Sequence, residues 1–194
     1  MLKIIEYPHP TLRHRSKPLR RVDAELRAMI DQMFDLMYEA KGVGLAANQV
    51  DLPYRFFVMN ETGDPEQPDA QQVIINPVLS RPKGSAEQEE GCLSLPGVYK
   101  PVTRPAQIRL NAYDLRGQEI NVELEGMPSR IVQHEADHLD GVLFIDRISE
   151  SDKREIVGAL EELSIDFDAK QHSGEIASED HVNRRLADLE RLRC

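Results

Sequence analysis

His134 and His138 stand four residues apart in His134-Glu135-Ala136-Asp137-His138, inside a stretch that reads as helix. Positions four apart on an α-helix share a face, so both imidazoles can bind one metal ion while Glu135 stays free to move protons. Chance produces such a pattern in a chain of this size with a probability of roughly one per cent. The remaining histidines, His9, His14, His172 and His181, lack this spacing and are assigned structural or solvated roles.

Two imidazoles make a weak site, and a hydrolytic centre needs a third protein ligand with one position left open for water. A metzincin-like extension would require histidine at position 144, where the chain has Phe144. Two sources stay open. Cys92 lies in Glu90-Gly91-Cys92-Leu93-Ser94-Leu95-Pro96-Gly97, where glycines and proline predict an irregular backbone just before a hairpin. Beside a divalent cation its thiol would lose its proton and bind. A carboxylate from Glu155 or Glu161 would instead complete a zincin-type peptidase, in which Cys92→Ser keeps its metal and internal peptide bonds are cut. A structural or ribosome-associated metal module, with all four positions closed by protein, would need neither Glu135 nor Gln49.

A third unusual stretch is Gly42-Val43-Gly44-Leu45-Ala46-Ala47-Asn48-Gln49. Its small residues permit close approach of another backbone, and the Gln49 amide brings both a donor and an acceptor. Taken alone, it also reads as a glycine helix stop followed by a tight turn.

These residues need elements to hold them. Leu26, Met29, Ile30, Met33, Phe34 and Met37 recur at helical spacing, with Asp23 as N-cap and Gly42 as the stop. The methionines are core, because flexible thioethers fill irregular gaps. Beyond Gly44 the pattern turns to strands over 54–59 and 72–79, then Ile108-Leu110-Ala112 and Ile120-Val122-Leu124, the last two forming a hairpin through 114–117. Residues 60–71, rich in Glu, Asp, Gly and Pro, read as a surface loop. The histidine helix is predicted over 128–139, with proline in its first turn and Gly141 after its end. A further helix spans about 151–163, a linker 164–180, and Val182, Leu186, Leu189 and Leu192 mark a last helix.

With 40% hydrophobic residues, 194 residues can bury a sizeable core. Apolar runs fall far short of the ~20 residues that cross a bilayer, and the N-terminus lacks signal-peptide features, so a cytoplasmic location with no membrane contact is expected. Cys92 and Cys194 alone give no disulfide framework. A formal net charge of −10 argues against a phosphate-binding footprint, and no direct sequence-specific nucleic-acid binding is expected.

Residues 42–49, Glu90-Gly91-Cys92-Leu93-Ser94 and Gln133-His134-Glu135-Ala136-Asp137-His138-Leu139 together resemble the three signature motifs of peptide deformylases. The opening Ile4-Ile5-Glu6-Tyr7-Pro8-His9-Pro10-Thr11-Leu12-Arg13 and Val142-Leu143-Phe144-Ile145-Asp146 are similar to that family too. The resemblance spans roughly residues 1–165.

It implies an α+β fold, with small antiparallel β-sheets packed around a central metal-binding helix, an N-terminal helix and a C-terminal helix. It implies a catalytic domain over 1–165, followed by an acidic, helical extension over 166–194. Cys92, His134 and His138 would hold one divalent ion, Fe2+ by family expectation with Ni2+, Co2+ or Zn2+ as substitutes, and water would take the fourth position. The implied reaction is hydrolysis of the N-formyl group from N-formyl-methionyl nascent polypeptides, releasing formate, with transient ribosome association. Glu135 would carry the proton, and the Leu93 backbone N–H and Gln49 amide would stabilise the oxyanion. Val43, Gly44 and Gly91 would pair with the peptide. Ile131 and Arg130 would lie by the pocket for the methionine side chain; many relatives are apolar at the latter position, and the stem of Arg130 can still line it. Glu90 is expected to be structural and paired with Arg104, so that its loss affects stability and not rate.

Overall fold

The computed structural model describes residues 1–194 and shows an α+β architecture. Helix α1 (Ala24–Glu39) starts where the Asp23 carboxylate accepts from the Leu26 N–H at 2.9 Å, and it buries Leu26, Ile30, Met33, Phe34 and Met37. Its stop differs from expectation. The left-handed residue is Lys41 (φ 56), and Gly42 donates back to the Met37 carbonyl at 2.8 Å. Gly42 is small for another reason: a Cβ there would lie 2.8 Å from Leu93 Cδ1.

A five-stranded antiparallel sheet has the order β1-β2-β3-β6-β7, from β1 (Gly44–Ala46), β2 (Phe56–Met59), β3 (Gln72–Lys83), β6 (Gln107–Tyr113) and β7 (Glu119–Glu125). Strand β2 is buried along its whole length, which explains its unbroken apolar run. The β6–β7 hairpin closes as expected, with Asp114 Oδ1 accepting from the Arg116 and Gln118 N–H groups at 2.8 Å and Gly117 at φ 78.

Strands β4 (Ala86–Cys92) and β5 (Leu95–Arg104) form a separate two-stranded sheet. This corrects the expectation of irregular backbone around Cys92, which is the last residue of β4 and pairs with Leu95 across the turn. Three consecutive exposed polar residues on β4, Glu87, Gln88 and Glu89, followed by the buried Glu90, concealed the strand from its pattern.

Helix α2 (Gly126–Leu139) begins two residues before the predicted start and packs Ile131, Val132 and Leu139 against Ala46, Phe57, Ile74, Ile108 and Leu110. A central position for the histidine helix follows from that apolar face. Helix α3 (Glu150–His172) is continuous through residues assigned to a linker and through the expected division at 165/166; the turn comes only at 173–178. Helix α4 (Glu179–Arg193) buries Val182 and Leu186. No helix is long and apolar enough to cross a membrane.

Candidate active site

A cleft of about 440 Å³ lies between the segment 40–44, β4 with its turn, and α2. Its walls include Val43, Gly44, Gln49, Gly91, Cys92, Leu93, Arg130, Ile131, His134 and Glu135, so nearly every residue singled out in the sequence meets at one place. His138 lies buried behind them.

Cys92, from the end of β4, meets the two α2 histidines. One donor atom from each of Cys92, His134 and His138 lies within 4.8 Å of the others, and Cys92 Sγ is 3.2 Å from His138 Nε2. Tetrahedral coordination by sulfur and nitrogen at standard bond lengths puts ligand atoms about 3.3–3.6 Å apart, so the donor set fits a metal ion. The cluster offers three protein donors and no fourth. Neither Glu155 nor Glu161 belongs to it, and Glu155 is engaged by Lys100 at the surface, which removes the zincin reading.

Behind the cluster lies a buried charge network of which the sequence reading contains only the Glu90–Arg104 pair. Glu90 does pair with Arg104, whose Nε and Nη2 donate at 2.7 and 2.9 Å. It also accepts from Arg130 Nη1 and from His134 Nδ1, the latter at 3.0 Å. Holding Nδ1 in this way fixes the His134 tautomer and leaves Nε2 for the cluster. Arg104 Nη1 donates on to Asp137 at 2.7 Å. Burial would raise the Glu90 carboxyl, yet His134 and Arg104 hold it well below the ordinary carboxylate range. Arg130 lines the cleft, but its guanidinium is also tied to the carbonyls of Val102 (3.1 Å) and Ala86 (2.7 Å), so it brings no free cation to the cleft.

Glu135 is buried, and its Oε2 has no hydrogen-bond partner. Burial pushes its carboxyl up to about 7, against the opposing charge of His134. Burial, joined by the charge of His134, lowers His138 well below the ordinary imidazole range, favouring the neutral form that ligates metal. Gly44 makes room for Glu135: a Cβ there would fall 2.4 Å from Oε1. Gln49 closes the 3-10 turn Ala47–Val50, its Oε1 accepting from the Ala46 N–H at 2.9 Å while Nε2 donates to Cys92 Sγ (3.4 Å) and Ser94 Oγ (3.2 Å).

Sequence reasoning missed Tyr99 and Met127, both lining the cleft and 60% and 51% exposed. Tyr99 faces Gly91 across the β4–β5 pair, a register invisible while β4 itself was not recognised. Met127 could have been found as the apolar residue immediately before the proline of the histidine helix.

An α+β domain whose central helix and strand end bring a cysteine and two histidines together beside a buried glutamate defines a hydrolase-type site. Comparison with known proteins narrows the class. The family model for polypeptide deformylase matches residues 1–154. A curated peptide deformylase of Rhodopirellula baltica is 53% identical over 191 residues, covering 98% of this chain and 94% of the relative. One from Neisseria meningitidis is 42% identical over 150 residues, 77% of this chain and 88% of its own. Among solved structures, Arabidopsis thaliana peptide deformylase 1B is 37% identical with a TM-score of 0.84, covering 88% of this chain and 93% of that one. A Legionella pneumophila peptide deformylase gives 36% and 0.78, covering 88% and 99%. The chain belongs to the polypeptide deformylase family, hydrolases that remove the formyl group from N-formyl-methionine at the start of new polypeptides.

Proposed function

We propose that Cys92, His134 and His138 hold one divalent ion, natively iron(II) with nickel, cobalt or zinc as substitutes, and that Glu135, Gln49 and Leu93 carry the deformylation. The carrying observation is the placement of three metal-type donors within 4.8 Å of one another in the cleft that also contains the buried Glu135 carboxylate. A bound ion supplies Lewis-acid polarisation and makes water acidic enough to ionise near neutrality.

The chain's own residues do the rest. Glu135 takes the water proton at its unpartnered Oε2 and later delivers it to the departing amine nitrogen. The Leu93 N–H, which has no partner within the chain, donates to the developing oxyanion. Gln49 Nε2 adds a second donor by giving up its long contact to Cys92 Sγ. Glu90 keeps His134 oriented throughout.

Peptide docking uses the main chain at Val43, Gly44 and Gly91. Strands β1 and β4 both line the cleft, and each is paired on one side alone. An extended peptide can add between such edges without regard to its side chains. Ile131, Met127 and the stem of Arg130 receive the methionine side chain. Transient ribosome association and a cytoplasmic location complete this reading. The test is formate release from formyl-Met-Ala by iron-loaded protein prepared without oxygen, beside a metal-free control. Release only with metal supports the assignment; absence of release with iron, nickel, cobalt and zinc alike overturns it.

A further inference from the structure

Helix α4 lies outside the cleft, yet it grips the turn that carries Gln49. Arg185 donates through Nη2 to the Asp51 carbonyl at 3.0 Å and forms an ion pair with the Asp51 carboxylate, whose other oxygen accepts from the buried Thr11 hydroxyl. Asp51 caps the 3-10 turn Ala47–Val50 in the left-handed conformation (φ 63), and its N–H donates to the Asn48 carbonyl at 3.1 Å. Aspartate is among the few non-glycine residues that adopt this conformation, and here its side chain is held by both Thr11 and Arg185.

Further contacts of the same helix converge on the same turn. Glu190 binds His14 Nε2 at 2.8 Å, and the His14 carbonyl accepts from Asn48 Nδ2 at 2.8 Å. Tyr54 donates to the Leu189 carbonyl at 3.1 Å and accepts from Arg193 Nη1 at 2.8 Å. Asp51, which caps the Gln49 turn, and Tyr54, three residues further along the chain, are therefore both held by residues 185–193.

We propose that Arg185 is a positioning residue for deformylation: through Asp51 it sets the turn that aims the Gln49 amide, making α4 a working part of the enzyme. The inference rests on the assignment of Gln49 as an oxyanion donor. Arg185 is itself about one-third exposed and is not among the metal-type donors, so its replacement should leave the fold and the metal cluster standing.

The experiment is a double-mutant cycle of Arg185→Ala and Gln49→Leu in the full-length, iron-loaded protein, with kcat, KM and metal content measured below any loss of structure. Arg185→Ala should lower kcat roughly tenfold or more at normal metal content and little-changed KM, because small misplacement of a catalytic group is costly. Arg185→Lys should recover part of it. In the Gln49→Leu background Arg185→Ala should cost nothing further. Equal losses in both backgrounds, or no loss in either, overturn the role of Arg185. A fully active Gln49→Leu single variant instead defeats the Gln49 assignment, and the proposal falls with it.

Discussion

Glu90 Oε2 lies 3.0 Å from His134 Nδ1 while the same carboxylate binds Arg104 and Arg130, so one buried acid links the metal-type cluster to the packing beneath it. Two kinds of damage should follow from Glu90→Ala. Two guanidinium groups lose a buried counter-charge, costing ~3–5 kcal/mol, and His134 loses its orienting partner, costing ~10–100-fold in metal affinity. Thermal melts of apo and metal-loaded protein, with metal titration, separate the two; a variant losing stability alone would return Glu90 to a purely structural role.

Cys92→Ala should bind metal far more weakly and be inactive, while keeping a near-normal melt without metal, since Cys92 is half-buried at the end of β4. Metal analysis after dialysis decides it; full retention would move the third ligand elsewhere.

Glu135→Gln keeps the shape of the side chain and removes its basicity. Metal content should stay near normal and formate release should fall ~10²–10⁴-fold. An active variant would require another proton carrier.

Gly44→Ala tests the space in front of that carboxylate. The added Cβ would meet Glu135 Oε1 at 2.4 Å and Cδ at 2.9 Å. The carboxylate must move, and kcat should drop by up to ~100-fold with metal retained. Unchanged kcat would mean that Glu135 reacts from another position.

The α4 docking should weaken in acid. The Leu26 N–H, Arg193 and Arg21 together lower Asp23 to about 2 from an ordinary value of 3.8. A depressed folded-state value means the contribution is fully present above about pH 4 and is lost as pH falls toward 2. Amide protection across 179–193, measured against the intrinsic exchange rate at each pH, should fall over that window, and Asp23→Asn should lower it already at neutral pH with a smaller acid dependence. Identical profiles would separate Asp23 from the docking.

Local pattern carried much of this site into view. His134, Glu135 and His138 share one helix, and the caps of α1 and the β6–β7 turn are set by residues within a few positions. What stayed hidden depends on distance along the chain. The Glu90–His134 contact spans 44 residues, and Arg185–Asp51 spans 134, and neither leaves a periodic trace. Strand β4 escaped because its glutamates and glutamine lack an apolar alternation, and the linker was misread because α3 buries only Ile156 beyond its start. Exposed helices show weak periodicity for want of a face to bury.

The two unpaired edges beside the cleft bear on timing. A peptide that docks by main-chain hydrogen bonds must offer a free edge of its own, and a segment already coiled into a helix or laid into a sheet has none. Deformylation by this route is thus a race against the substrate's own folding: a protein whose first strand or helix forms early closes its window quickly, while one with a loose amino terminus keeps it open. The geometry of β1 and β4 would thereby let the enzyme discriminate among nascent chains by how soon their beginnings become ordered, with no side chain read beyond the methionine.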